Sequence, residues 1–183
     1  MELRTGTIDL PAVRGSDGFT LVELLVTVSL AAILMAIGVP MLRNSIANNR
    51  LTAQTNEIIA AMTLARSQAI TLNQDVTFCR ADSETATACS GSAGNWQFWL
   101  IRSDAGAVVR RGALLAASLV VTSTLTNDQV VFASDGLART NNVLVSGGPH
   151  INVCSNHSAT QNNRQVTLGA GSRISTAKSS GAC

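Results

Sequence analysis

The sequence predicts an α+β fold, in which one long N-terminal helix packs on a C-terminal head of antiparallel β-strands. The first half of that helix is membrane-spanning and the second half amphipathic. Three observations lead there. From Phe19 to Leu42 the chain has a 24-residue apolar run in which Glu23 is the only charge, and that length spans a bilayer. From Leu51 an apolar stripe continues at helical spacing. Beyond Asn73 the helical pattern gives way to short β-rich runs separated by turn-formers.

Taken in order, residues 1–18 mix both signs of charge (Glu2, Arg4, Asp9, Arg14, Asp17) without periodicity and read as a leader. Residues 19–42 form the transmembrane segment, interrupted by Gly38 and by Pro40, where the helix is expected to break or loosen. In residues 43–72 the helical pattern resumes: Leu51, Thr55, Ile58, Met62, Ala65, Ala69 and Leu72 recur at spacings of three and four. Asn49, Arg50, Gln54, Asn56, Glu57 and Gln68 fall opposite. One helix over about residues 19–72 would be roughly 80 Å long at 1.5 Å per residue.

Residues 73–183 form the head. Expected strands are 75–80, 96–102, 107–111, 118–123, 129–134, 143–147, 150–155, 164–169 and 172–176, several of them alternating apolar and polar as half-buried antiparallel strands do. A sheet supplies the surface that the amphipathic half-helix needs. Trp96 and Trp99, either side of Phe98, are expected to pack into the core against the helix.

Only 13% of residues are charged and the net charge is +2, too small to define a partner. Its distribution says more: after Asp135 there is no acid, while Arg139, Arg164, Arg173 and Lys178 follow. Cys79, Cys89, Cys154 and Cys183 lack the paired spacing of zinc ligands. An even count outside a membrane segment reads as two disulfides in an oxidising compartment, against four buried thiols in a reducing one. Local pairing, Cys79 with Cys89 and Cys154 with Cys183, closes the shortest loops, although three connectivities are open.

Glu23 is the puzzle in this layout, because a carboxylate within a membrane span costs about 2.5–3.5 kcal/mol on insertion scales. A plain anchor leaves that cost unexplained. A secretory signal cut near Ser45-Ile46-Ala47 would want a basic start and a shorter core than this one. An assembly element gives Glu23 a purpose. If the chain is cut between Gly18 and Phe19, the new amine lies four residues from Glu23. Its own or a neighbour's amine can then pair with the carboxylate and set the register of stacked helices.

The segment "GFTLVELLVTVSLAAILMAIGVP", residues 18–40, resembles the class III signal of type IV pilins and pseudopilins. Weaker similarity runs through "NNRLTAQTNEIIAAMTLARSQAITLNQDVTFC" to Cys183 and resembles the GspH/FimT family of minor pilins and pseudopilins. The resemblance implies cleavage by a prepilin peptidase between Gly18 and Phe19, N-methylation of Phe19, and a role for Glu23 in assembly with other pilins. It also implies a single-pass inner-membrane protein with a periplasmic head. The 18-residue leader departs from the pattern, since it carries three acids where pilin leaders are short and basic.

Catalysis has little to rest on. His150 and His157 are the only histidines, neither stands in a ligand or nucleophile motif, and no glycine-rich phosphate loop follows a strand. No cofactor, metal or enzymatic activity is expected. The expected function is structural: a minor pilin or pseudopilin that helps initiate or cap a type IV pilus or a type II secretion pseudopilus. The alternative is a pilus-tip receptor for DNA uptake. Some FimT-like proteins bind DNA through a C-terminal Gly-Arg-x-Arg loop, and the corresponding stretch here is Gly171-Ser172-Arg173-Ile174-Ser175. The glycine is displaced and the second arginine is a serine. Arg139, Arg164, Arg173 and Lys178 are the candidate DNA contacts, weighed against a plain solvated basic face.

Overall fold

A computed structural model describes residues 18–114, 119–156 and 161–183. Residues 1–17 of the leader expected over 1–18, His157 and the first residue of the strand expected at 118–123 lie outside the described residues. The described residues fall into two compact units, 18–40 and 41–183.

Helix α1 runs from Leu21 to Leu72. It passes through Pro40 without interruption, so the break expected there does not occur. Proline there removes one rung of the ladder and crowds the carbonyl four residues back, and the hydrogen-bonded turns on both sides carry the helix past it. The helix stops where Asn73 takes a left-handed φ of 51°. Asn73 N–H then donates to Ile70 O and Gln74 N–H to Ala69 O, both at 3.3 Å, a Schellman end that satisfies two orphan carbonyls.

In the unit of residues 41–183 the helix buries Ala47, Leu51, Thr55, Ile58, Ala61, Met62, Ala65 and Ala69. The expected stripe is thus widened by Ala47 and Ala61 and loses Leu72, which is 45% exposed. The Schellman turn ends the helix at Leu72 and sends the chain back into the sheet, so the buried stripe stops at Ala69.

Among the described residues ten strands follow: β1 (Val76–Ala81), β2 (Phe98–Ser103), β3 (Val108–Ala113), β4 (Leu119–Ser123), β5 (Gln129–Phe132), β6 (Ala138–Thr140), β7 (Val143–Leu144), β8 (His150–Ser155), β9 (Asn163–Gly169) and β10 (Arg173–Ser179). They form a six-stranded sheet in the order β3-β2-β1-β5-β6-β7 and a four-stranded sheet in the order β10-β9-β8-β4. Every pairing is antiparallel.

Each expected run contains a strand, most with shifted ends. The strand placed at 96–102 begins only at Phe98, because Trp96 N–H donates instead to Val121 O on β4 at 2.8 Å and ties the two sheets together. The strand placed at 143–147 keeps two residues. Gly147 and Gly148, with φ of 125° and 112°, turn the chain across to the second sheet. Strand β6 was not expected; three residues are too few to show a period.

One core joins the helix to both sheets: Leu51, Ile58 and Met62 with Phe78, Trp96, Trp99 and Phe132 from one side and Ile151, Val166 and Leu168 from the other. Phe78 sits 5.5 Å from Trp96 and 5.8 Å from Trp99 between ring centroids, within the tilted aromatic range. On the other face of the six-stranded sheet, Cys79, Ala81 and Leu100 form a smaller cluster, with Ala86, Cys89 and Phe98 packed over it. Disulfides join Cys79 to Cys89 and Cys154 to Cys183, each with 5.6 Å between Cα atoms.

Candidate assembly and processing site

The candidate site begins just before the helix. Thr20 O accepts the N–H of Leu24, and Thr20 Oγ1 accepts the N–H of Glu23, both at 3.2 Å. Thr20 is therefore the N-cap and Glu23 occupies the first turn, in the Thr-x-x-Glu spacing of a capping box. That signature was legible in the sequence, and reasoning from the membrane cost of Glu23 passed over it. A carboxylate in the first turn also meets the partial positive charge of the helix N-terminus.

Phe19 is 80% exposed. A side chain added at Gly18 would meet no heavy atom within 4 Å, so the described fold sets no steric limit on that position. From Leu21 to Ile46 every helix residue is exposed. An 18-residue window here reaches a mean hydropathy of 2.4, and none of it is buried. Ser45-Ile46-Ala47 lies within uninterrupted helix.

Of the four C-terminal cations, the fold brings Arg164 and Lys178 opposite each other on neighbouring strands and leaves Arg139 and Arg173 apart from them. Arg139 on β6 grips Asp135 with two hydrogen bonds, Nη2 to Oδ2 at 2.7 Å and Nη1 to Oδ1 at 3.1 Å. That bond, helped by the N–H of Leu137, holds the Asp135 carboxyl below its ordinary range and raises Arg139. Arg164 on β9 is only 6% exposed. Its guanidinium donates to Gln161 O, to Asn163 O at 3.1 Å and to Asn48 Oδ1 on the helix at 3.5 Å. Arg173 and Lys178 on β10 are exposed and make no ion pair among the described residues. Five positions apart on one strand, they fall on opposite faces.

The turn Ala170–Ser172 before Arg173 is fastened from below. Ser172 is buried with φ 61°. Its Oγ accepts the N–H of Ala138 at 2.5 Å and its carbonyl accepts Arg66 Nη1 at 3.3 Å.

No group of three His, Cys, Asp or Glu side chains suited to a metal ion occurs among the described residues. His150 is half-buried and its Nδ1 lies 2.8 Å from Gly148 O. A cleft of about 440 Å³ beside β7 is lined by Thr124, Thr126, Thr140, Val143, Leu144 and Val145 together with the 146–149 backbone turn. Its side chains are hydroxyls and hydrocarbon, which cannot perform acid–base chemistry near neutral pH.

A family model described as type II transport protein GspH matches residues 54–172, and a prokaryotic N-terminal methylation motif matches residues 13–39. The type IV minor pilin FimU of Pseudomonas aeruginosa shares the fold. One crystal form matches with a TM-score of 0.51 and 18% identity, over 71% of this chain and 90% of that one. A second form gives a TM-score of 0.48 and 16% identity, over 69% and 91%. No curated protein sequence matches significantly.

Proposed function

The chain belongs to the GspH family, that of minor pilins and pseudopilins of GspH/FimT type, and from that premise we propose that it helps initiate or cap a filament driven from the inner membrane. The filament is a type IV pilus or a type II secretion pseudopilus. In this reading a prepilin peptidase cuts between Gly18 and Phe19, and Phe19 is N-methylated. The helix from Phe19 to Leu42 then holds the subunit in the inner membrane as a single pass, with the head in the periplasm, until other pilins take it up.

One observation carries the proposal. The helix exposes hydrocarbon on all sides from Leu21 to Ile46, with a single carboxylate in its first turn, and is buried against its own head only from Ala47 onward. Such a surface calls for lipid or neighbouring apolar helices. The lone Glu23 suits pairing with a neighbour's N-terminal amine at one axial register.

The test is Glu23→Ala. Insertion into membranes should be at least as efficient as in the wild type, because a costly charge is removed. Incorporation into sheared filaments, read by immunoblot, should drop about tenfold or more. Wild-type incorporation of a normally processed Glu23→Ala protein would remove the role assigned to Glu23. The DNA-receptor reading draws its support from Arg173 and Lys178 alone, since Arg139 is held by Asp135 and Arg164 is buried. Two separated cations favour the structural reading.

A further inference from the structure

One end of the unit of residues 41–183 is built from two stretches that contain no acid. Between Glu23 and Glu57 the helix has none, and after Asp135 the chain has none. The fold joins these stretches: Arg164 Nη2 on β9 reaches Asn48 Oδ1 on the helix. Lys178 stands directly across from Arg164 in the β9–β10 register, so both lie on the face that meets the helix. Arg43 and Arg50, seven positions apart, share one flank of the helix at the same end and are exposed. Arg43, Arg50 and Lys178 make no ion pair among the described residues. The three ion pairs described use acids that lie elsewhere, Asp82, Asp128 and Asp135.

We propose that this end of the head binds anionic phospholipid headgroups through Arg43, Arg50 and Lys178. The inference rests on the membrane-anchored reading above. Arg43 is the first charge after the apolar run ending at Leu42, so a helix that crosses the bilayer delivers it to the level of the lipid phosphates. Arg50 is about 10 Å further along the helix axis, roughly one Debye length at physiological salt. Lys178 is set near the same level by the Arg164–Asn48 contact. With no acidic side chain in either stretch to pair with them, these cations present a net positive field to the headgroups. The chemistry recognised is a lipid phosphate, and its effect would be to hold the head down on the bilayer before assembly.

The mature full-length chain would be reconstituted in phosphatidylcholine bilayers containing trace spin-labelled phosphatidylglycerol or spin-labelled phosphatidylcholine. Electron paramagnetic resonance then reads the share of each label immobilised by the protein. At low salt the anionic label should be preferred about fivefold, as expected for one cation per headgroup. Near 1 M salt, where the Debye length is about 3 Å, the preference should approach parity. The triple variant Arg43→Gln, Arg50→Gln, Lys178→Gln should also show parity, while Arg173→Gln should behave as wild type. Equal immobilisation of both labels by wild-type protein that resists alkaline extraction would overturn the inference and leave the anchored reading intact. A preference surviving in the triple variant would overturn it too. Displacement of the anionic label by added duplex DNA, with wild-type but not triple-variant protein, would assign the cations to nucleic acid instead. Extraction of the wild-type chain by alkaline carbonate would sink the anchored reading and this inference together.

Discussion

Asp128 is fully buried, with a left-handed φ of 52°, and each of its carboxylate oxygens is used. Oδ2 accepts Arg80 Nε at 3.2 Å and Gly94 N–H at 2.8 Å, and Oδ1 accepts Ser123 Oγ at 2.6 Å. Arg80 in turn grips Asp82 and the hydroxyls of Ser90 and Ser92. This cluster pins the segment between β1 and β2 to the start of β5. Nothing in the order of residues marks it, because its members come from four separate stretches. Asp128→Ala should cost about 1–3 kcal/mol, since it leaves the Gly94 N–H and the Ser123 hydroxyl without their acceptor and Arg80 with only the exposed Asp82 as carboxylate partner. Urea denaturation of the full-length protein in detergent would show it as a lowered midpoint at unchanged slope. A midpoint within error of wild type would mean that water replaces the carboxylate at no cost. Gly112 makes a similar point: a Cβ there would run into the Trp99 ring, a contact legible only once β2 and β3 are paired.

Among the elements, the helix was the most legible. Its first half is an unbroken apolar run, its second half keeps a period of 3.6 from Leu51 to Ala69, and its cap spacing Thr20-x-x-Glu23 is written in nearby residues. The strands were legible as runs, but their ends were set by partners, as Trp96 turning to Val121 shows. The disulfides fasten the two least regular stretches. Cys183–Cys154 holds the C-terminus beside Asn162, whose amide both donates to Gly181 O at 2.7 Å and accepts Gly181 N–H at 3.1 Å. The chain-entropy argument gives about 3 kcal/mol for the Cys79–Cys89 loop and nearer 4 kcal/mol for the longer Cys154–Cys183 loop. Paired Cys→Ala variants should therefore lower stability in that order, the C-terminal pair more, by chemical denaturation. The reverse order would show that the anchored tail contributes little once the loop is open.

At the scale of the whole molecule, the apolar half-helix is exposed along its length among the described residues, and Gly18 before it has no heavy atom within reach of an added side chain. Gly18→Trp should leave the described fold undisturbed while blocking access of the peptidase. Cells should then accumulate precursor, and intact mass would show it still carrying residues 1–18. Wild-type protein should instead begin at Phe19 and weigh one methyl group more than the unmodified cut chain. An N-terminus found at Asn48 would replace this account with secretion and release of the head. The family membership, by contrast, depends on neither measurement, because residues 54–172 carry it.

What the sequence determined by itself was whatever depends on neighbours along the chain: the apolar span and its lone carboxylate, the long helix, most of the strands, and the helix face that packs. Local disulfide pairing follows the same logic, since nearby cysteines meet most readily. What only the tertiary structure decided was which charges remain available. Arg139, Arg164, Arg173 and Lys178 look equivalent as letters, but Asp135 holds the first, the fold buries the second, and strand alternation sets the last two on opposite faces. A cation's availability depends on desolvation and on the nearest carboxylate, and both are fixed by contacts between residues far apart in the chain. The same long-range contacts, through Arg164 and Asn48, bring two acid-free stretches to one end of the head.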